Sequence, residues 1–232
     1  MIRFDTMPVV LHFRSQITVI LFLSIFSILL PGQAVRTVER GELSVYFLGE
    51  KVGYEEYVWE EHELGYRLSV KGRMTKPVVI EVESLKIELD RSFIPLRYSF
   101  IGSMGGIRQE VSSVISEGDV VNTILVNRQE QSLRSKIRRD AFLLPNPLFS
   151  PYLLITKKYG CRMEEKKNLS AYIIPQLEMP FTLEPSVEDP CLLLMQINGI
   201  QMELETDDRG HLTILQIPSQ NLRVTNVISS SH

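Results

Sequence analysis

The chain has 232 residues, 44% of them hydrophobic, and its 25 basic and 28 acidic residues leave a net charge of −3. A weakly acidic, evenly mixed composition gives no electrostatic reason to expect a nucleic-acid partner. The length predicts one domain with a sizeable core.

The first 34 residues are typical of a secretory signal. Arg3 and Arg14 stand in a polar leader, and an apolar run of 14 residues spans 17–30. The alternative is a retained membrane anchor, but a bilayer core needs about 17 to 25 apolar residues. We therefore interpret residues 1–34 as a signal peptide.

The cleavage point follows from small residues. Gly32 and Ala34 form the small-x-small pattern that signal peptidase accepts, which predicts cleavage before Val35. Residues 35–232 would then form a single exported domain with no transmembrane segment. The oligomeric state of that domain cannot be read from the sequence.

After residue 40 apolar and polar residues alternate with a period of two. The alternation is clearest over 66–70, 85–89 and 200–204. Each segment is predicted to be a strand with one face in a core and the other in water, as in antiparallel sheets. The phase slips near Ser84, where a β-bulge would restore the register. Glycine- and aspartate-containing turns between the runs favour extended hairpins in a meander.

One segment departs from this pattern and predicts a short helix over 151–159. Ser150 can cap its first turn, Pro151 suits the first helical position, lysines lie in the last turn, and Gly160 follows the end. Two turns of helix are not stable alone, so we expect the helix to pack on the concave face of the sheet. The expected fold class is mainly β, with an antiparallel sheet and this one helix.

The two cysteines, Cys161 and Cys191, both lie in the exported part. In an oxidising compartment they predict one disulfide, and the alternative is two separate buried thiols. Neither cysteine has a neighbour with zinc-ligand spacing, so no zinc site is expected.

No catalytic, metal-binding or cofactor-binding pattern stands out. The run 102–106 superficially suggests a nucleophile elbow, but Ile101 stands where glycine would be needed two residues before Ser103. No histidine has a metal-binding spacing. Adjacent carboxylates such as Glu55 and Glu56 point to opposite faces of a strand and are interpreted as solvated edges. We expect no enzyme, no metal and no cofactor.

Two apolar sets are candidates for a ligand-binding groove between sheet and helix. One set shares a strand face and the other surrounds the start of the helix: Tyr57, Trp59, Leu148, Phe149, Tyr152 and Leu153. Aromatic residues usually fill cores, so ordinary core packing is the alternative interpretation of both sets. A groove would hold a lipid-like ligand or a partner segment.

Several motifs carry a resemblance to known proteins. They are a hairpin over 41–55 with G-x-x-x-G, a D-x-x-x-x-P-L-x-Y run over 90–98, the proline-flanked helix, and a G-x-L-x-x-x-x-I-P run over 210–218. Together they resemble a group of bacterial exported proteins of unknown function. The fold of that group is a twisted β-roll or half-barrel around a helix, akin to lipoprotein-carrier and envelope-integrity proteins.

The resemblance implies residence in the periplasm and the handling of lipid or lipoprotein, and it brings no catalytic residues. The leading hypothesis is a non-catalytic envelope protein that binds a lipid-like ligand or a lipidated partner in an apolar groove. A structural or assembly protein of the envelope without a small ligand is the first alternative. A cryptic hydrolase is the second.

Overall fold

The computed structural model describes the backbone of residues 35–229 and the side chains of residues 38–229. The described residues form one compact unit. The predicted signal peptide, residues 1–34, lies outside them, and its cleavage stays a prediction.

A single sheet of fifteen strands dominates the molecule. The strands are β1 Val35–Phe47, β2 Glu50–His62, β3 Gly65–Met74, β4 Ile80–Asp90, β5 Pro95–Met104, β6 Ile107–Ser116, β7 Asp119–Val126, β8 Gln129–Lys136, β9 Phe142–Leu143, β10 Lys167–Ile173, β11 Leu177–Pro185, β12 Leu192–Ile197, β13 Ile200–Thr206, β14 Leu212–Ile217 and β15 Leu222–Ser229. The described helices are α1 Tyr152–Lys158 and two 3₁₀ turns, Gly160–Arg162 and Pro218–Gln220.

The strand order is two meanders joined at their ends. Strands β1 to β8 follow one another as antiparallel neighbours, and so do β10 to β15. Strand β15 pairs with β1, with Val224 opposite Val45, so the two meanders become one continuous sheet. Only the short β9 runs parallel to its neighbour β10 within the described sheet. The predicted fold class, mainly β with a large antiparallel sheet and one helix, is confirmed.

Alternation along the strands follows the predicted faces. Leu85, Ile87 and Leu89 are buried in β4 while Lys86 between them is exposed. The irregularity expected near Ser84 is present, because the β4–β5 register shifts between Val82 and Ser84. Period-two patterning therefore placed both the strands and their interruption correctly.

The sheet stays open, with β8 and β9 as its described edges. Side chains rather than a backbone ladder link its two ends. The Asn122 amide in β7 donates to the Tyr172 hydroxyl in β10 and to the Pro175 carbonyl, both at 2.7 Å. Ser113 donates to the Asn122 carbonyl oxygen at 2.6 Å. The side chains of Ser113, Asn122 and Tyr172 are buried, and they bring β7 next to β10 without pairing the two strands.

Helix α1 lies against the inner face of the sheet, with Leu153, Leu154 and Ile155 buried. It begins one residue later than predicted, at Tyr152, and Pro151 takes the N-cap position. The predicted capping role of Ser150 is wrong, since no side chain caps this helix. The first-turn N–H groups of Tyr152, Leu153 and Leu154 donate instead to the backbone carbonyls of Phe149, Ser150 and Pro151.

The chain leaves the helix through a close backbone crossing. At Gly160, where φ is +41°, a Cβ atom would lie 2.7 Å from the Cα atom of Gly210 in the turn between β13 and β14. Only glycine fits this approach and backbone conformation. Cys161 follows directly and forms the predicted disulfide with Cys191, next to the start of β12. No helix in the described part of the chain is long and apolar enough to span a bilayer.

Candidate ligand-binding site

An apolar cavity of about 570 Å³ lies where the segment 144–149 crosses one end of the sheet. We call this the cavity end. It carries the turns 48–49, 75–79, 105–106, 127–128, 174–176, 198–199 and 218–221. The volume falls within the range of about 300 to 1,000 Å³ that is usual for small-molecule sites.

The cavity lining is uncharged among the described residues. Four methionines contribute to it from four different strands: Met74, Met104, Met179 and Met202. Methionine side chains are flexible and polarisable, so such a wall adapts to the shape of an apolar occupant. Three neutral carboxamides, Asn146, Asn198 and Gln220, supply most of the polar groups. This lining suits an apolar ligand with at most a small uncharged polar group.

A smaller cavity of about 210 Å³ lies beside the first, and Met104, Pro145 and Leu148 line both. Tyr98 lines the smaller one, and burial raises the pKa of its phenol. The segment 144–149 is therefore the shared wall of two apolar spaces.

A buried carboxylate fixes the end of that segment. Glu55 in β2 is only 3% exposed, and its two oxygens accept hydrogen bonds from the backbone N–H groups of Phe149 and Ser150 at 2.8 and 2.7 Å. These donors precede α1, where a negative charge also complements the helix dipole. Burial raises the pKa of Glu55, and the hydrogen bonds from Ser150 and Phe149 offset only part of that effect. Glu55 thus holds the chain just before the helix and does not cap its first turn.

The sequence predicted that Glu55 and Glu56 are both solvated, and this prediction is wrong for Glu55. Glu56 is exposed as expected, but Glu55 points into the core.

A polar network holds the other end of the helix. The two carboxylate oxygens of Glu39 in β1 have separate partners: one accepts from the Tyr57 hydroxyl at 3.1 Å, and the other contacts Lys157 of α1 and lies 3.1 Å from His211 Nε2. His211 Nδ1 lies 2.9 Å from Asp207. The network fixes the C-terminal turn of the helix to β1 and to the turn 207–211.

The electrostatics of this network follow its burial. Desolvation raises the pKa of Tyr57 well above its ordinary value. Burial alone would raise the pKa of Asp207, but hydrogen bonds from His211 and Arg209 outweigh it and lower that pKa. In the described structure His211 faces two carboxylates and has no hydroxyl or thiol partner. The arrangement therefore lacks the nucleophile of a hydrolytic triad.

The structure divides the six predicted ligand-binding residues. Leu148, Phe149 and Tyr152 line the larger cavity. Leu153 is fully buried on the side of α1 that packs on the sheet, and Tyr57 belongs to the polar network.

Trp59 lies away from the cavity as well. Its ring stacks on Tyr66 and Phe93 at centroid distances of 5.3 and 6.1 Å.

The residues that sequence reasoning missed are the cavity methionines and the carboxamides. Met74 and Met104 stand at the ends of β3 and β5, Asn198 and Gln220 lie in hairpin turns, and Asn146 lies in the segment 144–149. Part of this site could have been found from the sequence, because the apolar residues of each strand keep their alternation up to the turn. No group of three or more potential metal-ligating side chains occurs in the described part of the chain.

Comparison with known proteins supports the fold alone. A crystal structure of a DUF1089 family protein from Pseudomonas aeruginosa is similar with a TM-score of 0.51 and 10% sequence identity, covering 74% of this chain and 91% of that one. No family model and no curated protein matches the sequence. The uncharacterised neighbour agrees with the predicted resemblance to proteins of unknown function, and the relation to lipoprotein carriers stays a prediction.

Proposed function

We propose that this chain is a non-catalytic, exported protein of the cell envelope that binds a lipid-like ligand in the cavity at the cavity end. The observation that carries the proposal is the uncharged, methionine-rich lining of a space of about 570 Å³. Each methylene group transferred from water into such a space contributes about 0.8 kcal/mol. An acyl chain would therefore bind through many small, non-directional contributions.

Tyr152 is the lining residue best placed to report on a ligand. It is partly exposed to the cavity, and its hydroxyl has no hydrogen-bond partner among the described residues. Burial raises the pKa of its phenol to about 12, so the group stays a neutral donor at physiological pH. A neutral hydroxyl next to an apolar space fits an uncharged polar group of a ligand.

Export and a periplasmic location are supported by two features. The first 34 residues have the pattern of a signal peptide. The Cys161–Cys191 bond is of the kind that persists in oxidising compartments. A lipidated protein partner remains compatible with the same cavity, since its acyl chain would meet the same lining.

Tyr152→Ala tests the proposal. We expect the variant to bind the apolar probe N-phenyl-1-naphthylamine more weakly in vesicle-free solution, while its unfolding free energy falls by less than the 3 to 5 kcal/mol or so of a fully buried aromatic. Tyr159→Ala is the matched control, because Tyr159 lies just past the same helix and does not line the cavity. It should leave probe affinity unchanged.

Two results would contradict the proposal. One is equal probe affinity in both variants, together with a loss of about 3 to 5 kcal/mol of unfolding free energy in Tyr152→Ala. The other is an absence of probe binding to the wild type together with native mass spectra that show only a stoichiometric protein partner. That second result would favour the assembly protein. Turnover of ester, phosphate or glycoside substrates after stringent purification would favour the hydrolase.

A further inference from the structure

The cavity end also concentrates exposed apolar side chains. Half of the ten large hydrophobic residues exposed in the described chain lie there, each on or beside a turn. We call them the tip residues: Leu48, Val78, Val79, Ile107 and Leu177. Leu48 is 66% exposed, and Val79, Ile107 and Leu177 are each more than half exposed. They come from four separate turns at the cavity end, and Val78 and Leu177 also line the cavity.

Charge is also distributed unequally between the two ends of the sheet. Residues 48–51, 75–79, 105–108, 127–128, 174–177, 198–199 and 218–221 at the cavity end include four cations, Lys51, Lys76, Arg108 and Arg128, and one acid, Glu50. The turns at the opposite end, 63–64, 90–94, 117–119, 137–141, 186–191 and 207–211, include nine acidic and four basic residues. Over these residues the net charge is +3 at the cavity end and −5 at the opposite end, and strand residues Glu42 and Glu83 pair with two of the four cations at the cavity end.

We propose that the cavity end docks on an anionic bilayer surface, with the tip residues entering the interface. Apolar side chains beside cations are the combination that binds protein surfaces to anionic lipid. The opposite end would be repelled, which orients the cavity mouth toward the lipid. Isolated tips on separate turns suit a deformable lipid surface better than a flat protein face. The inference does not require a bound ligand: Val78 and Leu177 also line the cavity, but the other three tip residues and the four cations do not.

Position-resolved fluorescence on the full chain tests this orientation. The described residues contain no free cysteine, so one cysteine can be introduced at a time and labelled with an environment-sensitive dye. We expect labelled Leu48→Cys and Ile107→Cys to brighten and shift to the blue with phosphatidylglycerol vesicles, and to change little with phosphatidylcholine vesicles. Leu64→Cys and Val187→Cys, exposed at the opposite end, are matched controls that should not respond.

A charge variant tests the electrostatic part. Lys51, Lys76 and Arg108 pair with glutamates, whereas Arg128 has no ion pair among the described residues. Since one cation near an anionic membrane contributes about 1 kcal/mol, Arg128→Gln should weaken partitioning into phosphatidylglycerol vesicles about fivefold. Arg209→Gln, in an exposed turn at the opposite end, is the control and should not weaken it.

Three outcomes would overturn the inference. Equal responses from labels at both ends would mean that another part of the chain binds the vesicles. Equal effects of Arg128→Gln and Arg209→Gln would remove the orientation by charge. A response of the Leu48 and Ile107 labels to protein concentration without vesicles would show that the tips contact a second copy. Loss of naphthylamine binding with intact docking would contradict the proposed ligand function alone.

Discussion

Replacement of Glu55 by alanine should show how strongly one buried carboxylate holds the wall of the cavity. The side chain is 3% exposed and accepts the backbone N–H groups of Phe149 and Ser150. Its removal leaves two buried donors without partners, at about 1 to 3 kcal/mol each. We therefore expect Glu55→Ala to lower the unfolding free energy by about 2 to 6 kcal/mol.

The effect should depend on pH with a definite sign. Because burial raises the pKa of Glu55 above its ordinary value of 4.5, the folded state binds the proton more tightly than the unfolded state. The stability that Glu55 contributes is then fully present below pH 4.5 and declines as the pH rises through the folded-state pKa. The destabilisation by Glu55→Ala should therefore be largest in acid and smaller at neutral pH.

Urea denaturation across this pH range measures both effects, provided that the m-value stays constant. Glu56→Ala is the matched control, since Glu56 is the next residue, is exposed and faces the other side of β2. It should change stability by no more than about 0.5 kcal/mol. The isosteric Glu55→Gln keeps one acceptor and should give an intermediate loss. The reasoning fails if Glu55→Ala behaves like Glu56→Ala, or if its destabilisation grows with rising pH.

Two further predictions concern export and the disulfide. Intact-mass measurement of the exported species should show Val35 as its N-terminus, and recovery of the whole chain in the membrane fraction would mean that residues 17–30 act as an anchor. The double variant Cys161→Ser, Cys191→Ser should lose about 3 to 4 kcal/mol of unfolding free energy in denaturation, as expected for a bond that closes a loop of this length. An unchanged denaturation midpoint, or freely alkylatable thiols in the native wild type, would contradict this.

The strands could be predicted from the sequence because their pattern is local. One buried face makes apolar residues recur at every second position, and a bulge interrupts that recurrence within two residues, as near Ser84. The disulfide was predicted from the expected oxidising compartment and the number of cysteines alone. The helix was also found from neighbouring residues, although its capping was not.

The candidate site could be predicted only in part because it is assembled from distant residues. Glu55 and Glu56 are chemically identical neighbours, and only the burial of one strand face separates them. The bond from Ser150 to Glu55 spans 95 positions, so no local pattern reveals it. Met74 and Met202 meet at one cavity because β15 pairs with β1, which sequence periodicity does not specify.

The seam between β7 and β10 has a consequence for how the cavity can admit an occupant. Two strands that pair along a ladder can be separated only by breaking a row of backbone hydrogen bonds, whereas this seam is spanned by the side chains around Asn122. Tyr172 and Pro175, which Asn122 contacts, stand directly beside cavity residues Ile173 and Ile174. Separation of β7 from β10 would therefore break no strand ladder, and we expect the apolar spaces beside them to widen with it while every strand stays paired.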